Sequence, residues 1–582
     1  MARDGGAIVG EILASRGVRH LFTLCGGHIS PILVGAEENG IKIVDVRDEG
    51  NAVFAADAVA RMTGLPGAAA VTAGPGVTNT VTALKNAQMA QSPVILFGGA
   101  AATLLKGRGS LQDIDQISVL ESITKWAVAV KKVRSIGPTV EKALDIAQEG
   151  VPGPVFVELP VDLLYSEEMV REMFMKEVGG QTAKSLGGKA LELYMRGHLY
   201  RQFNQPHVSI VPPLRESLPP KPTDRSPHTN KVASLLEKAE RPALVIGSQA
   251  LVNSSNVQPI ADAVEALGIP TWLGGMARGL LGRHSNIQFR HKRSAALKEA
   301  DVVIVAGFPF DFRLGYGRAI SSRATLIAAN LSASEMRKNR RPEIPVHMHA
   351  GEFLRELSAV AGGKLGPWSE WFDKLRGREA ARDAEITEQA AAPKELVNPL
   401  QLFQRIEEKM ADDAILVVDG GDFVATASYI LRPRKPLSWL DPGVFGTLGV
   451  GGGFAVGASL VRPGKEVWLI YGDGSCAYSI AEMDTCVRHG LAPIAVIGTD
   501  GSWAQIAREQ VPMLGTDVGT VLRRSAYHEV AQGYGAAGLL LDDPSRVDAV
   551  LDEAKAIAAS GKPVVINVHI ARTEFRKGSI SM

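Results

Sequence analysis

Short apolar runs, each separated from the next by a helix-forming stretch, recur along the whole chain and restrict its fold more than any other feature. Between Gly6 and about Leu164 they read "KIVDV", "GAAAVTA", "SPVILFGG" and "GPVFVEL"; between about Asn230 and Leu357, "RPALVIGS", "ADVVIVAG" and "ATLIAAN"; and in the last third, "DAILVVDGGD", "EVWLIYGDG", "APIAVIGTD" and "KPVVINVHI". Strands alternating with helices build a parallel sheet covered by helices. A chain of 582 residues is too long for one core, so the three blocks are read as three consecutive α/β domains. The proline-rich run "QPHVSIVPPLRESLPPKPTDRSP", Gln205 to Pro227, is an extended linker that cannot hold a helix, and a charged helical connector surrounds "WFDKLRGREAARDAEITEQ". The expected division is a first domain over 1–175, a linker over 176–229, a central domain over 230–360, a connector over 361–395, a third domain over 396–570 and a tail over 571–582.

The charge balance, 63 basic against 62 acidic residues, provides no footprint for nucleic acid or an anionic membrane. Cys25, Cys476 and Cys486 form no CxxC pair, so neither a disulfide framework nor a zinc site is indicated, and a reducing cytoplasm is expected. The N-terminal "MARDGGAIVGEILASRG" lacks the apolar core of a signal peptide. The uncharged stretch Pro442 to Val461 approaches the length of a membrane span, but seven of its residues are glycine, which favours a glycine loop entering a buried helix.

Two acids stand where strands of the last block end. "EVWLIY" runs into Gly472-Asp473-Gly474-Ser475, and "APIAVIG" runs into Thr499-Asp500, with the helix-like "YSIAEMDTCVRHG" between them. The carboxyl ends of parallel strands line one edge, where ligands bind. Glycine lets the backbone approach a diphosphate, Ser475 can donate to it, and two carboxylates suit magnesium. The plain alternative is a pair of turn residues, which "DG" often supplies.

This stretch resembles the signature of thiamine diphosphate enzymes, in which GDG is followed by a helix, a strand and a second metal ligand. The resemblance implies the three-domain fold of that family, with pyrimidine-binding, central and diphosphate-binding domains. It implies side-chain ligands to magnesium from Asp473 and Asp500 and a backbone carbonyl from Ser502, with Gly472, Gly474, Ser475 and Trp503 around the cofactor. At Thr499-Asp500 most relatives carry two asparagines. "VDVRDEGNAVFAADAVAR" resembles the motif whose glutamate meets the pyrimidine N1′ and promotes proton removal from the cofactor, a role that falls on Glu49 rather than Asp48. "FGTLGVGGG" resembles the segment that bends the cofactor, through Gly446 and Leu448; "TAGPGVTNT" the first-domain loop that meets the cofactor of a partner subunit, through Pro75 and Asn79; and "VVDGGDF" the diphosphate turn, through Gly421, Asp422 and Phe423.

Within the family, "CGGHISPIL" and the overall layout resemble acetolactate synthases, but Gln505 and Glu509 stand where that lineage places Met and Trp. "LGGMARGLLGRHS", "WLDPGVFGTLGVGGG", "GSWAQIAREQVP" and "RTEFRKGSISM" resemble the acetolactate synthase-like branch of 2-hydroxyacyl-CoA lyases, some of which carry an N-terminal membrane anchor, whereas this chain opens on the first domain. The resemblance implies cleavage of a 2-hydroxyacyl-CoA to formyl-CoA and an aldehyde or ketone one carbon shorter, reversible as carboligation. In that reaction His28, beside the Gly26 turn, and Gln112 would handle protons or orient the substrate oxygen, and the central domain would hold an ADP or CoA moiety. A homodimer or homotetramer is implied as well. Alternatives are a carboligase or decarboxylase of 2-keto acids, an oxalyl-CoA decarboxylase-like enzyme, or a non-catalytic regulator, against which the retention of Glu49 and both metal acids argues. The tail from Ala571 carries Arg572, Arg576 and Lys577 and is expected to be either a mobile lid for the thioester or a frayed terminus with solvated charges.

Overall fold

The computed structural model describes residues 4–177, 186–203, 227–252 and 256–577, so most of the proline-rich run and the last five residues lie outside the described ones. Three six-stranded parallel sheets account for the three blocks. The chain forms two compact units: the N-terminal unit carries the first sheet, and the other carries the second and third.

The first sheet consists of β1 (His20–Leu24), β2 (Lys42–Asp45), β3 (Gly67–Val71), β4 (Val94–Ala100), β5 (Trp126–Ala129) and β6 (Val155–Pro160), in the order β2-β1-β3-β4-β6-β5. Every residue of β3, β4 and β6 is buried, as expected of strands covered on both faces. The second sheet comprises β7 (Pro242–Ile246), β8 (Thr271–Leu273), β9 (Gln288–Phe289), β10 (Val302–Ala306), β11 (Thr325–Ala329) and β12 (Ile344–Val346), in the order β12-β11-β10-β7-β8-β9. That is the doubly wound order of dinucleotide-binding sheets. The main chain is tightly packed where its strand order reverses: a Cβ on Gly247, after β7, would stand 2.4 Å from the carbonyl oxygen of Gly307, after β10.

The third sheet, β13 (Ile415–Val418), β14 (Trp439–Leu440), β15 (Val467–Gly472), β16 (Ile494–Thr499), β17 (Ala537–Leu541) and β18 (Val564–His569), runs β14-β13-β15-β16-β18-β17. This is the order of the first sheet repeated. In both, the order reverses between the first and third strands, and the loops leaving their carboxyl ends open a crevice there. Those loops are Cys25–His28 and Thr72–Asn79 in the first sheet, and Asp419–Asp422 and Asp473–Ser475 in the third.

Two boundaries differ from expectation. The first unit does not stop at residue 175, because the segment read as linker contains a helix, Leu186–Phe203, whose Met195 and Leu199 pack on Val170 and Phe174. Its apolar residues lack a clear helical period, which hid it in the sequence. At the other end, the tail through Lys577 is seated rather than loose. Ala571 donates to the Val397 carbonyl, and Phe575 is buried in the core of the third domain, edge-on to Tyr429 at 5.5 Å and under the Arg382 guanidinium. The remainder of the expected lid, 578–582, lies outside the described residues. The connector is a helix over Ser369–Ala391, and the glycine-rich segment yields the buried helix Val450–Val461; among the described residues no helix is long and apolar enough to cross a membrane.

Candidate active site: two half-sites

In the N-terminal unit, Asp48 caps the helix Glu49–Thr63 by accepting from the Asn51 amide, which leaves Glu49 as the first helical residue. Capping thus occupies one of the two neighbouring acids and leaves the other for the crevice. Glu49 is 7% exposed, and its Oε2 accepts a 3.0 Å hydrogen bond from Asn79 Nδ2. Asn79 itself is exposed, as is Pro75. Gly74 carries a positive φ of 62°, and a Cβ there would stand 2.6 Å from the Gln112 carbonyl oxygen, so this turn requires glycine. Gln116 fastens it: its Oε1 accepts from Gly74 N at 2.9 Å, while its Nε2 donates to Gly99 O at 3.0 Å and to the buried Glu158 at 2.9 Å. Lys106 balances the Glu158 charge. His28 and Gln112, predicted separately, are brought together here through Thr72. Burial lowers the His28 pKa below the ordinary histidine value.

In the second unit, Asp473 is the first residue after β15. Its Oδ1 accepts from Gly474 N and its Oδ2 from Gly501 N, each at 2.8 Å. Asp500 is the first residue after β16, and its Oδ1 accepts from Ser502 N at 3.0 Å. Burial raises the Asp473 pKa; burial and, after it, the Asp473 charge push Asp500 up to about 7. Two desolvated carboxyl groups that oppose each other's ionisation make a place for a cation. Ser502 pairs with Val521 in a narrow antiparallel bridge whose hydrogen bonds run through Gly501 O and Trp503 N, so the Ser502 carbonyl is directed away from the bridge. The Trp503 ring covers Gly474, where a Cβ would lie 2.3 Å from it.

The other expected residues divide by what their side chains already do. The Ser475 hydroxyl is engaged with Gly472, accepting from its N–H at 3.0 Å and donating to its carbonyl at 3.2 Å. The Phe423 ring is buried beneath Gly498 and against Phe403, which leaves only its main chain for a ligand. Asp422, at the start of the helix Asp422–Ile430, is held by both guanidinium nitrogens of Arg508, with Arg576 at 3.6 Å. Gly421 before it has a φ of 109° and open space where a Cβ would be. Gly446, also at positive φ, is exposed, while Leu448 is half-buried with its side chain on Gly420. A pocket of about 470 Å³ lies along this edge, lined among others by Asp422, Asp500, Ser502, Arg508 and Arg572.

Sequence reasoning missed Asp419, Arg508, Gln116 and Thr72. Asp419 is buried and accepts from Gly420 N (2.8 Å), Gly449 N (3.0 Å) and Gly451 N (2.7 Å), which pins the segment carrying Leu448 to the end of β13. The acid before the double glycine of "VVDGGDF" was its only signal.

The residues fit the group that the resemblance implied. The acid pair answers a divalent metal, the helix start at Gly421–Asp422 and the Gly472–Gly474 turn answer a diphosphate, and the buried, oriented Glu49 answers a pyrimidine. Models of the thiamine pyrophosphate enzymes match in three parts: the N-terminal TPP binding domain over residues 3–119, the central domain over 229–357 and the C-terminal TPP binding domain over 419–568. The chain belongs to the thiamine pyrophosphate enzyme family. Full-length relatives narrow the group: 2-hydroxyacyl-CoA lyase 2 of Danio rerio is 49% identical, with 100% of this chain and 94% of the relative covered, and that of Homo sapiens is 48% identical, with 100% and 92% covered. A probable acetolactate synthase of Mycobacterium bovis is 33% identical over 97% of this chain and 95% of its own.

Proposed function

We propose that this chain is a thiamine diphosphate-dependent lyase that cleaves 2-hydroxyacyl-CoA thioesters to formyl-CoA and an aldehyde or ketone one carbon shorter, and joins them in reverse. The observation that carries this reading is full-length likeness, 44% to 49% identity, to proteins named 2-hydroxyacyl-CoA lyase 2 from six animals. Asp473, Asp500 and the Ser502 carbonyl would hold Mg²⁺; Gly421, Asp422, Phe423 and the Gly472–Ser475 turn would meet the diphosphate through the main chain; Leu448 and Gly446 would meet the rings, with Trp503 behind the turn. Glu49, steadied by Asn79, would meet the pyrimidine, with Pro75 beside it. When bound, the cofactor supplies an electron sink for the carbon–carbon bond.

The protein's own part in cleavage is proton traffic. The 2-hydroxyl proton passes to His28 as the carbonyl of the departing aldehyde forms; the bonding pair stays with the thioester carbon, which is protonated to give formyl-CoA. Substrate and products therefore balance without an oxidant. Gln112 orients the same oxygen. For CoA phosphates, the second unit offers Arg293 and Arg313, both over the Phe308 ring, with Arg278 nearby on Trp439 and Arg313 paired with Asp311. Burial and then the neighbouring arginines bring Arg293 down to about 10, a strain that an anion would relieve. A homodimer or homotetramer in the cytoplasm, with domains near the boundaries drawn above, completes the proposal.

The second reading, acetolactate synthesis, draws on the Mycobacterium relative and is opposed by Gln505 and Glu509. Supplying purified protein with thiamine diphosphate, Mg²⁺ and either a 2-hydroxyacyl-CoA or pyruvate separates the two: formyl-CoA with a shortened aldehyde is expected, and acetolactate alone would overturn the proposal. Glu49→Gln should lower turnover by about two to four powers of ten, the range of an acid–base group, while leaving cofactor binding intact.

A further inference from the structure

We infer that Thr72 is a positioning residue whose hydroxyl, shared between His28 Nδ1 and Gln112 Oε1, holds His28 in the Nδ1–H tautomer and leaves Nε2 bare to accept the substrate's 2-hydroxyl proton. The identity of that substrate rests on the lyase reading; the tautomer does not. Thr72 Oγ1 stands 3.2 Å from His28 Nδ1 and 3.5 Å from Gln112 Oε1. A hydroxyl carries one proton, and an amide oxygen can only accept. With the Thr72 hydroxyl donating to Gln112, the same oxygen accepts from His28, and Nδ1 is the protonated nitrogen. A neutral imidazole then has no proton on Nε2. Burial, which lowers the His28 pKa, favours that neutral ring.

The three side chains are held in this arrangement by small neighbours. A Cβ on Gly26 would stand 2.4 Å from Thr72 Cβ, one on Gly76 2.9 Å from Thr72 Cγ2, and one on Gly99 2.4 Å from His28 Cβ. Gln112 sits at a positive φ of 63°, unusual for a side-chain-bearing residue, with its main chain against Gly74. Thr72 also brings its methyl group to the Gly76 turn that flanks Glu49 Oε1, so one residue touches the walls of both functional groups. Gly26, Gly74, Gly76 and Gly99 thus have a common purpose: they admit a threonine, a histidine and a glutamine into one hydrogen-bonded line.

The test uses the full-length chain labelled with ¹⁵N-histidine, the His28 signals being assigned by their loss in His28→Gln. Ring nitrogen shifts should show Nδ1 protonated and Nε2 bare. Thr72→Val, which keeps shape and removes the hydroxyl, should populate the other tautomer and lower kcat by about 10- to 100-fold with KM little changed, the usual loss when an orienting partner of a histidine is removed. Thr72→Ser should restore both readouts. A wild-type His28 protonated on Nε2, as the reversed amide of Gln112 would produce, overturns the inference; so does a Thr72→Val chain with unaltered tautomer and kcat. If the wild-type chain fails to cleave 2-hydroxyacyl-CoA, the lyase reading falls, and the nitrogen shifts still decide the role of Thr72.

Discussion

Adding one methyl group at Gly474 should disable the metal edge without touching a ligand. Its backbone is not in the left-handed region, so alanine is conformationally allowed. The obstacle is Trp503: the new Cβ would lie 2.3, 2.5 and 2.7 Å from three ring carbons, about an ångström inside the ~3.5–4.0 Å of ordinary carbon contact. The ring must move, and it directly follows Ser502 and lies three residues from Asp500. Forcing a methyl into a packed site costs about 1–3 kcal/mol. If most of that strain must be borne when the loop closes on Mg²⁺ and thiamine diphosphate, affinity falls by about 5- to 150-fold, at 1.4 kcal/mol per factor of ten. Cofactor titration of Gly474→Ala, followed by tryptophan fluorescence or calorimetry, measures it. The companion variant Gly474→Ala/Trp503→Ala removes the clash and should recover part of the lost affinity relative to Gly474→Ala alone. Wild-type affinity in Gly474→Ala would refute the reasoning, as would a double variant no better than the single one.

Asp473→Ala should weaken cofactor retention more than Asp500→Asn, because asparagine still offers an oxygen to the metal; titrations with thiamine diphosphate at fixed Mg²⁺ compare them. His349 caps the helix Ala350–Ala361 by accepting from Glu352 N at Nδ1 while donating from Nε2 to Val252 O, and burial lowers its pKa from 6.5. The unfolded chain therefore takes up the proton more readily. Its stabilising contribution is complete above pH 6.5 and is lost as pH falls through the lowered folded value. His349→Asn, which keeps a capping oxygen, should flatten that part of the pH dependence of the thermal midpoint. Phe575→Ala should destabilise the third domain by about 3–5 kcal/mol in denaturant unfolding, the cost of truncating a buried phenylalanine.

The three sheets could be read from the sequence because their apolar runs are local and contiguous. The order of strands could not, since it depends on which distant runs pair, and with it went the recognition that the first and third sheets share one order. The acids Asp473 and Asp500 announced themselves by ending strands, and Glu49 by following one. Arg508 did not: its grip on Asp422 joins residues far apart in the chain, and from sequence it was one more charge on a helix face. Thr72 was invisible for a similar reason, lying in a quoted motif but acquiring its role only from the approach of His28 and Gln112. Phe575 shows the opposite failing. The charges around it attracted notice, while the one apolar residue among them decides how the tail sits.

The second sheet has the strand order of a dinucleotide binder, and its main chain is tightly packed where that order reverses. Gly247 and Gly307 meet main chain to main chain across the reversal point, and Phe308 lies against Gly274 beside it. That close packing predicts a sharp signature in deep mutational scanning: neither glycine should tolerate even alanine, although neither belongs to the residues proposed to hold the metal or the diphosphate.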